Sequence, residues 1–378
     1  MGSNPTLSAN SPAAPRKGRF ASGAQNLRDE LRDRSRVWRL VLGGLLLATL
    51  ASCGRAPLEL QGPAMGTTYT VVLPRLPRGV TRAEVEAAVS AVLREADQHL
   101  SGWNGSGELV RINDSRSTDW QPISPQLLEV LRESAAVSSA SGGAFDVTVG
   151  PLVRAWGFGA GAVEDAPAPA QPVLDALRAK IGQDRLQLRE QPPALRKAVP
   201  ELTLDLDGIA PGWAVDRIAG RLESLGVTDY LVELGGEVRA RGRSPAGRPW
   251  RVAIERPVPG QRRPLALIEL DAQGVSTSGD YRDYREIDGR RVSHTIDPRT
   301  GRPVDHALAE VTVVHASVAA ADAWATALMV LGPEEGMALA RQQGLAALFV
   351  TRSATAGQFV ESATAQFERL RLHTDARL

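Results

Sequence analysis

Leu202-Thr-Leu-Asp-Leu-Asp207, followed by Gly208-Ile-Ala-Pro-Gly212, is the stretch on which the reading of this chain turns. Its strict alternation predicts a strand with three leucines on one face and Thr203, Asp205 and Asp207 on the other. The glycines then turn the chain, and Pro211 suits the first position of a helix running to about Leu225. Beyond it, Tyr230-Leu-Val-Glu-Leu-Gly-Gly236 and Val238-Arg-Ala-Arg-Gly242 predict a strand pair around a Gly-Gly bend. Strand, helix and hairpin follow one another without regular alternation, which indicates an α+β fold rather than a doubly wound sheet.

Working outward, Thr67 to Leu73 is rich in β-branched residues and predicts a strand entered through Met65-Gly66. Thr81 is placed to cap a helix reaching Leu100, with Val85, Val89, Val92 and Leu93 on one face. Turn residues then surround Trp103, and a second helix is expected from Ser124 to about Ser139. Gly142-Gly143, just after it, is read as permitting a close backbone approach. Downstream, Trp250 to Glu255, Leu265 to Leu270 and Glu310 to Val314 predict further strands. A helix from Pro333 stops at Gly344, and Leu345 to Thr351 is expected to be the last element.

The 378 residues are 43% apolar, enough for a substantial core. Lys plus Arg nearly balances Asp plus Glu, leaving a formal net charge of +1, so no basic field points to nucleic acid. Residues 1–33 are expected to be a disordered extension, ending before Arg34-Ser-Arg-Val-Trp-Arg39. That positive segment and the apolar run Leu40 to Ala51 predict a signal peptide over 34–52, too short to span a bilayer comfortably. It ends in Leu50-Ala-Ser-Cys53, which resembles a bacterial lipobox and predicts lipidation of Cys53, the only cysteine. The mature protein would then be a membrane-anchored periplasmic lipoprotein with no disulfide to form. Residues 53–62 are assigned to the lipidated Cys and a linker, and 63–370 to the folded domain.

Three polar signatures lie between apolar runs near the C-terminus: Ser276-Thr-Ser-Gly-Asp280, Ser293-His-Thr-Ile-Asp297-Pro-Arg-Thr-Gly301 and Ala321-Asp-Ala-Trp-Ala-Thr326. The first two are also good turn chemistry. In the third, Asp322 and Thr326 are four apart in an Ala- and Leu-rich run, so a helix puts their oxygens on one face. Such a pair suits a hard cation such as Mg²⁺. It would equally serve a helix whose Asp complements the dipole and whose Thr bonds back to a carbonyl.

Taken in order, these segments resemble the ApbE-type FAD:protein FMN transferases of bacteria. The resemblance runs from Met65-Gly-Thr67 to about Leu348. It includes Ser101 to Asn113, Gly143-Ala-Phe-Asp-Val-Thr-Val-Gly150 with Trp156-Gly-Phe-Gly159, Leu204 to Ala210 with Gly212-Trp-Ala-Val-Asp216, and Leu234-Gly-Gly236, besides the three signatures above. It implies a T-fold-like α+β domain, FAD as substrate, Mg²⁺, and transfer of FMN to a Thr or Ser hydroxyl of a partner redox protein, in an Asp-Gly-x-Thr-like context, with release of AMP. Met65, Trp103, Ala144, Phe145, Asp146, Asp207 and Thr295 fall on flavin-binding positions. Relatives often carry Tyr where this chain has Trp103. Asp322 and Thr326, with the carbonyl of Ala210, fall on Mg²⁺ positions, and His294 on the catalytic one. Pro211 replaces the Lys found in many relatives, so any contribution of that Lys to phosphate binding is absent here.

The chemistry fits these residue types. Phosphoryl transfer is catalysed mainly by positioning and charge neutralisation, which a metal on the pyrophosphate supplies. A Thr hydroxyl needs a base, and histidine is the side chain that exchanges protons near neutral pH. Asp297 or Asp280 is expected to orient His294. Trp103 is either a π face for a ring or a core residue, and Asp207 either a ligand to ribose or adenine or a helix cap. The competing functions are an FAD-binding lipoprotein and an FAD pyrophosphatase.

Overall fold

A computed structural model describes residues 56–372 apart from residues 164–165, 259, 261–262, 282–283, 288 and 356. The predicted extension, signal peptide and Cys53 lie outside the described residues.

Eight strands form one antiparallel sheet whose spatial order is its chain order. They are β1 (Leu58–Ala64), β2 (Thr67–Leu73), β3 (Tyr230–Leu234), β4 (Glu237–Arg241), β5 (Gln273–Gly279), β6 (Leu308–His315), β7 (Ala346–Arg352) and β8 (Phe359–Ala363). Apart from a short helix after β8, the other described elements are inserted between consecutive strands. The β2–β3 insertion carries helices α1 (Arg82–Leu100), α2 (Pro125–Ala140) and α3 (Ala210–Ser224), and β6–β7 carries α4 (Val318–Gln342). These four helices and one face of the sheet enclose the main core, in which Val71, Val232, Val311 and Leu328 are fully buried. A hairpin of Trp250–Glu255 with Pro264–Leu270 covers the other face over Val275, Leu348 and Val350.

Local chemistry accounts for the helices. Thr81 and Glu84 form a reciprocal capping box, and Val85, Val89 and Val92 are buried at helical spacing. Each such side chain stabilises the fold by ~1.5–3 kcal/mol. Ser124 caps α2 through the Leu127 amide, and Ser317 caps α4 through the Ala320 amide. α4 bends at Gly332 (φ 79°), after which Pro333 starts its second half.

Several expectations are corrected. Leu202 to Asp207 alternates in burial as read, but it joins no sheet. It is a lone extended segment, held by Asn113, which exchanges hydrogen bonds with Leu204 in both directions, and by the Asp205 amide donating to Val147 O. Ser276 to Gly279, read as turn chemistry, is the second half of β5. Residues 58–62, assigned to a linker, belong to edge strand β1, where Leu60 is buried and Pro63 is tolerated. Leu345 to Thr351 is followed by β8 and by a short helix, Ala365–Glu368. Gly142 and Gly143 have open space where a Cβ would stand. Their positive φ values (62° and 80°) end α2, with the Gly143 amide returning to Ser138 O.

Candidate active site

The C-terminal half of β5, the first half of α4, the turn before α3 and the loops after α2 and before Pro298 enclose a cavity of about 370 Å³. Ala144, Phe145, Asp146, Asp207, His294, Thr295, Asp322 and Thr326 all line it. Residues 182 positions apart in sequence thus share one chamber, as the motif reading required.

The metal candidates are the best defined. Asp322 and Thr326 lie one turn apart on α4, facing β5. Ser276 Oγ donates to Asp322 Oδ1 at 3.3 Å, and Ser278 Oγ lies 3.3 Å from Thr326 Oγ1. Asp322 Oδ2 is buried and has no hydrogen-bond partner at ordinary distance and angle, although the Gly212 amide also faces the carboxyl. Burial, and after it the charge of Glu237, push the Asp322 carboxyl well above the usual carboxylate range. Glu237, itself buried and pushed up to about 7 chiefly by burial, shares the same Ser276 hydroxyl. Two carboxyls crowded around one serine, with an oxygen unpartnered, fit a cation. Gly208 stands so close that a Cβ there would lie 3.1 Å from Thr326 Oγ1, which brings the turn leading to Ala210 against the pair. The candidate donors of the pair are a carboxylate and a hydroxyl, both oxygen, of the kind Mg²⁺ prefers, while Ala210 is the buried first residue of α3 and does not line the cavity. Among the described residues no group of three or more His, Cys, Asp or Glu side chains offers an alternative metal centre.

What holds these donors in place was not foreseen in the sequence. Asp216 of α3 accepts from the amides of Val318 (2.7 Å) and Ala319 (3.1 Å) and from Ser317 Oγ (3.1 Å), while Arg239 Nη1 bonds Asp216 at 2.8 Å and Ala316 O at 2.6 Å. The start of α4 is therefore fastened to the helix that begins at Ala210. The signal for Ser276 and Ser278 was two hydroxyls at strand spacing; Glu237 and Asp216 join the site only through the fold.

The remaining residues are placed as follows. His294 is half-buried in the cavity wall, edge-on to Phe158 with centroids 6.3 Å apart. Asp297 is bound by Arg299 through both oxygens, and Asp280 by Arg352. Arg352 of β7 fastens the segment after β5 at Asp280, and Arg299 closes the turn after His294 on Asp297. Asp146 uses its carboxylate on Thr148 and on the Gln183 amide, which fixes the loop and turns its backbone to the cavity. Burial raises its carboxyl nonetheless. Asp207 is not a cap, since α3 has no side-chain cap. Its carboxyl reaches the cavity mouth, yet the surrounding protein and then Asp205 push it up to about 7. Asp205 and Asp207 also line an adjoining cavity of about 430 Å³ beside Arg154 and Gly102.

Two flavin candidates lie outside these walls. Trp103 is 64% exposed, which removes the core reading, and it sits next to Gly102 of the adjoining cavity. Met65 is the first residue of the two-residue β1–β2 turn, with φ 49° followed by Gly66 at 76°. A left-handed non-glycine residue costs ~1–2 kcal/mol, so a Met at this position suggests a role beyond turning the chain.

Known proteins match this chain in sequence and fold. The ApbE family model matches residues 65–349. The FAD:protein FMN transferase of Vibrio cholerae serotype O1 is 40% identical over 335 residues, covering 88% of this chain and 98% of that protein. The enzyme of the same description from Escherichia coli K12 is 39% identical over 297 residues, covering 78% and 84%. The apo crystal structure of the Pseudomonas stutzeri flavinyl transferase ApbE matches with a TM-score of 0.76 at 43% identity, over 83% of this chain and 96% of that one. On the extent of these matches and the α+β fold they share, the chain belongs to the ApbE family.

Proposed function

We infer that the protein is an FAD:protein FMN transferase: it takes FAD as substrate and transfers the FMN moiety to an acceptor protein. The finer reading is that the acceptor supplies a Thr or Ser hydroxyl, that Mg²⁺ is required, and that AMP is the leaving group. The observation that carries it is the unpartnered, buried Asp322 Oδ2 beside Thr326, in one cavity with His294.

Each residue has a role in this reading. Asp322, Thr326 and the Ala210 carbonyl would hold Mg²⁺, which when bound neutralises charge on the pyrophosphate. His294 takes the proton of the acceptor hydroxyl as its oxygen bonds to the phosphorus on the flavin side. The bond from that phosphorus to the bridging oxygen breaks, and the oxygen leaves with AMP. The backbone of Ala144 to Asp146, Thr295 and the Phe145 ring would shape the wall for FAD, with Asp207 lining both cavities and Trp103 next to the second; Met65 would meet the flavin from the β1–β2 turn. With Pro211 in the α3 turn, phosphate charge is met by the metal rather than by a lysine at that point.

Lipidation of Cys53 would tether this domain to a membrane in the bacterial periplasm, among redox proteins exposed there. Metabolic labelling with a radioactive fatty acid, lost in Cys53→Ala, tests the anchor. For the activity, incubation with FAD and Mg²⁺ is compared with and without a peptide carrying an Asp-Gly-x-Thr site. AMP release that requires the peptide, with FMN joined to it, supports transfer. AMP and free FMN formed without peptide indicate a pyrophosphatase, and retention of intact FAD indicates a binding protein.

A further inference from the structure

β5 outruns its neighbour. β4 accompanies it only along Gln273 to Val275, whereas β6 pairs with it as far as Gly279. Among the described strands, none pairs with the β4-side edge of Ser276 to Gly279. Such an edge presents free amides and carbonyls on which an extended chain can add as a strand. Glu237 stands opposite Ser276 in the β4 register, so the open part is Thr277 to Gly279, three residues at about 3.3 Å each or roughly 10 Å, enough for one reacting residue and its neighbours.

The edge opens on a groove of about 430 Å³ on the sheet face away from the helices, between Thr68, Glu233 and the Val252 to Glu255 strand. The Gly235-Gly236 bend lines it; a Cβ on Gly236 would meet nothing within 4 Å, whereas one on Gly235 would lie 3.0 Å from Thr67. Thr277 and Gly279 line both this groove and the active-site cavity. A chain laid along the edge therefore runs to the border of the chamber that holds His294 and Ser278.

We propose that this groove is the docking site of the acceptor protein, whose hydroxyl-bearing segment adds to the free edge of β5 in extended form and so delivers its hydroxyl to the cavity. This rests on the transferase reading above, which demands a second, polypeptide substrate at the same chamber. Recognition is then mainly through the main chain, and the acceptor's side chains alternate between the groove and the helix side.

The test uses the full chain, FAD, Mg²⁺ and a synthetic Asp-Gly-x-Thr peptide with single backbone N-methyl groups introduced one residue at a time. Strand addition predicts that KM for the peptide rises about 5- to 10-fold at every second position and little between them. Thr68→Trp, at an exposed position on the groove wall, is expected to raise peptide KM while leaving FAD affinity and Tm unchanged. Insensitivity to N-methylation together with an unchanged KM in Thr68→Trp overturns the docking site while leaving wild-type transfer intact. Loss of FAD affinity in Thr68→Trp also overturns it, because the groove would then hold flavin. Absence of any transfer by the wild type contradicts the transferase reading itself.

Discussion

Asp216 Oδ2 accepts the amide of Val318 at 2.7 Å, and this bond ties the first turn of α4 to the middle of α3. Both helices carry proposed metal donors, Ala210 on one and Asp322 with Thr326 on the other. Asp216→Ala removes the cap and leaves the Arg239 guanidinium without its carboxylate. Loss of a capping side chain costs ~0.5–2 kcal/mol, so Tm is expected to fall by a few degrees. Mg²⁺ affinity, followed by calorimetric titration, is expected to fall by ~10–100-fold, as for partners that orient ligands. An unchanged affinity would show that Asp216 serves stability alone.

Gly212 is the contact that lets the two helices meet. A Cβ there would lie 2.6 Å from Val318 O and 2.8 Å from Ala319 N, backbone atoms that cannot swing aside. Gly212→Ala is therefore expected to cost ~1–3 kcal/mol or more, by overpacking. Chemical denaturation measures it, with Gly220→Ala as control, since a Cβ at Gly220 meets nothing within 4 Å.

Asp322 is held in the fold at an electrostatic cost. Asp322→Asn removes a buried acid beside Glu237, so the metal-free protein is expected to be at least as stable as the wild type. The same substitution is expected to abolish the rise in Tm that Mg²⁺ produces. Thermal scans with Mg²⁺ and with EDTA check both, and a persistent Mg²⁺ effect would place the metal elsewhere.

The pH dependence follows from Glu237, which is buried and pushed up to about 7, chiefly by that burial, from an ordinary value of 4.5. Between about pH 4.5 and 7 the folded protein keeps a proton that the unfolded chain has released. The unfolded state binds fewer protons there, so stability falls as pH rises through that window. Metal-free Tm is expected to drop between pH 5 and pH 8, and Glu237→Gln to flatten the drop. Mg²⁺ competes with that proton, so its stabilisation is expected to be larger at pH 8 than at pH 5.5. A Mg²⁺ effect independent of pH would contradict this.

Much of the site was legible because its chemistry is written locally. Asp322 and Thr326 are one helical turn apart, and Thr81 with Glu84 spells a cap, so period alone locates them. Alternation in Leu202 to Asp207 reported burial correctly but not pairing, because it records which face is covered and not what covers it. Ser276 to Gly279 looked like a turn because the hydroxyls that face α4 are also turn formers. Asp216 and Glu237 were illegible: their partners lie 102 and 39 residues away, and only the meeting of α3, α4 and β5 brings them together.

The most direct test of the transferase account is mass spectrometry of an acceptor peptide, with AMP quantified in the same sample, for wild type, His294→Ala and Asp322→Asn with FAD and Mg²⁺. The account predicts one FMN on the peptide per AMP released by the wild type. It predicts rates lowered by ~10²–10⁴-fold in His294→Ala and no dependence on Mg²⁺ in Asp322→Asn. Full transfer by either variant, or AMP released by the wild type with no FMN on the peptide, would contradict it.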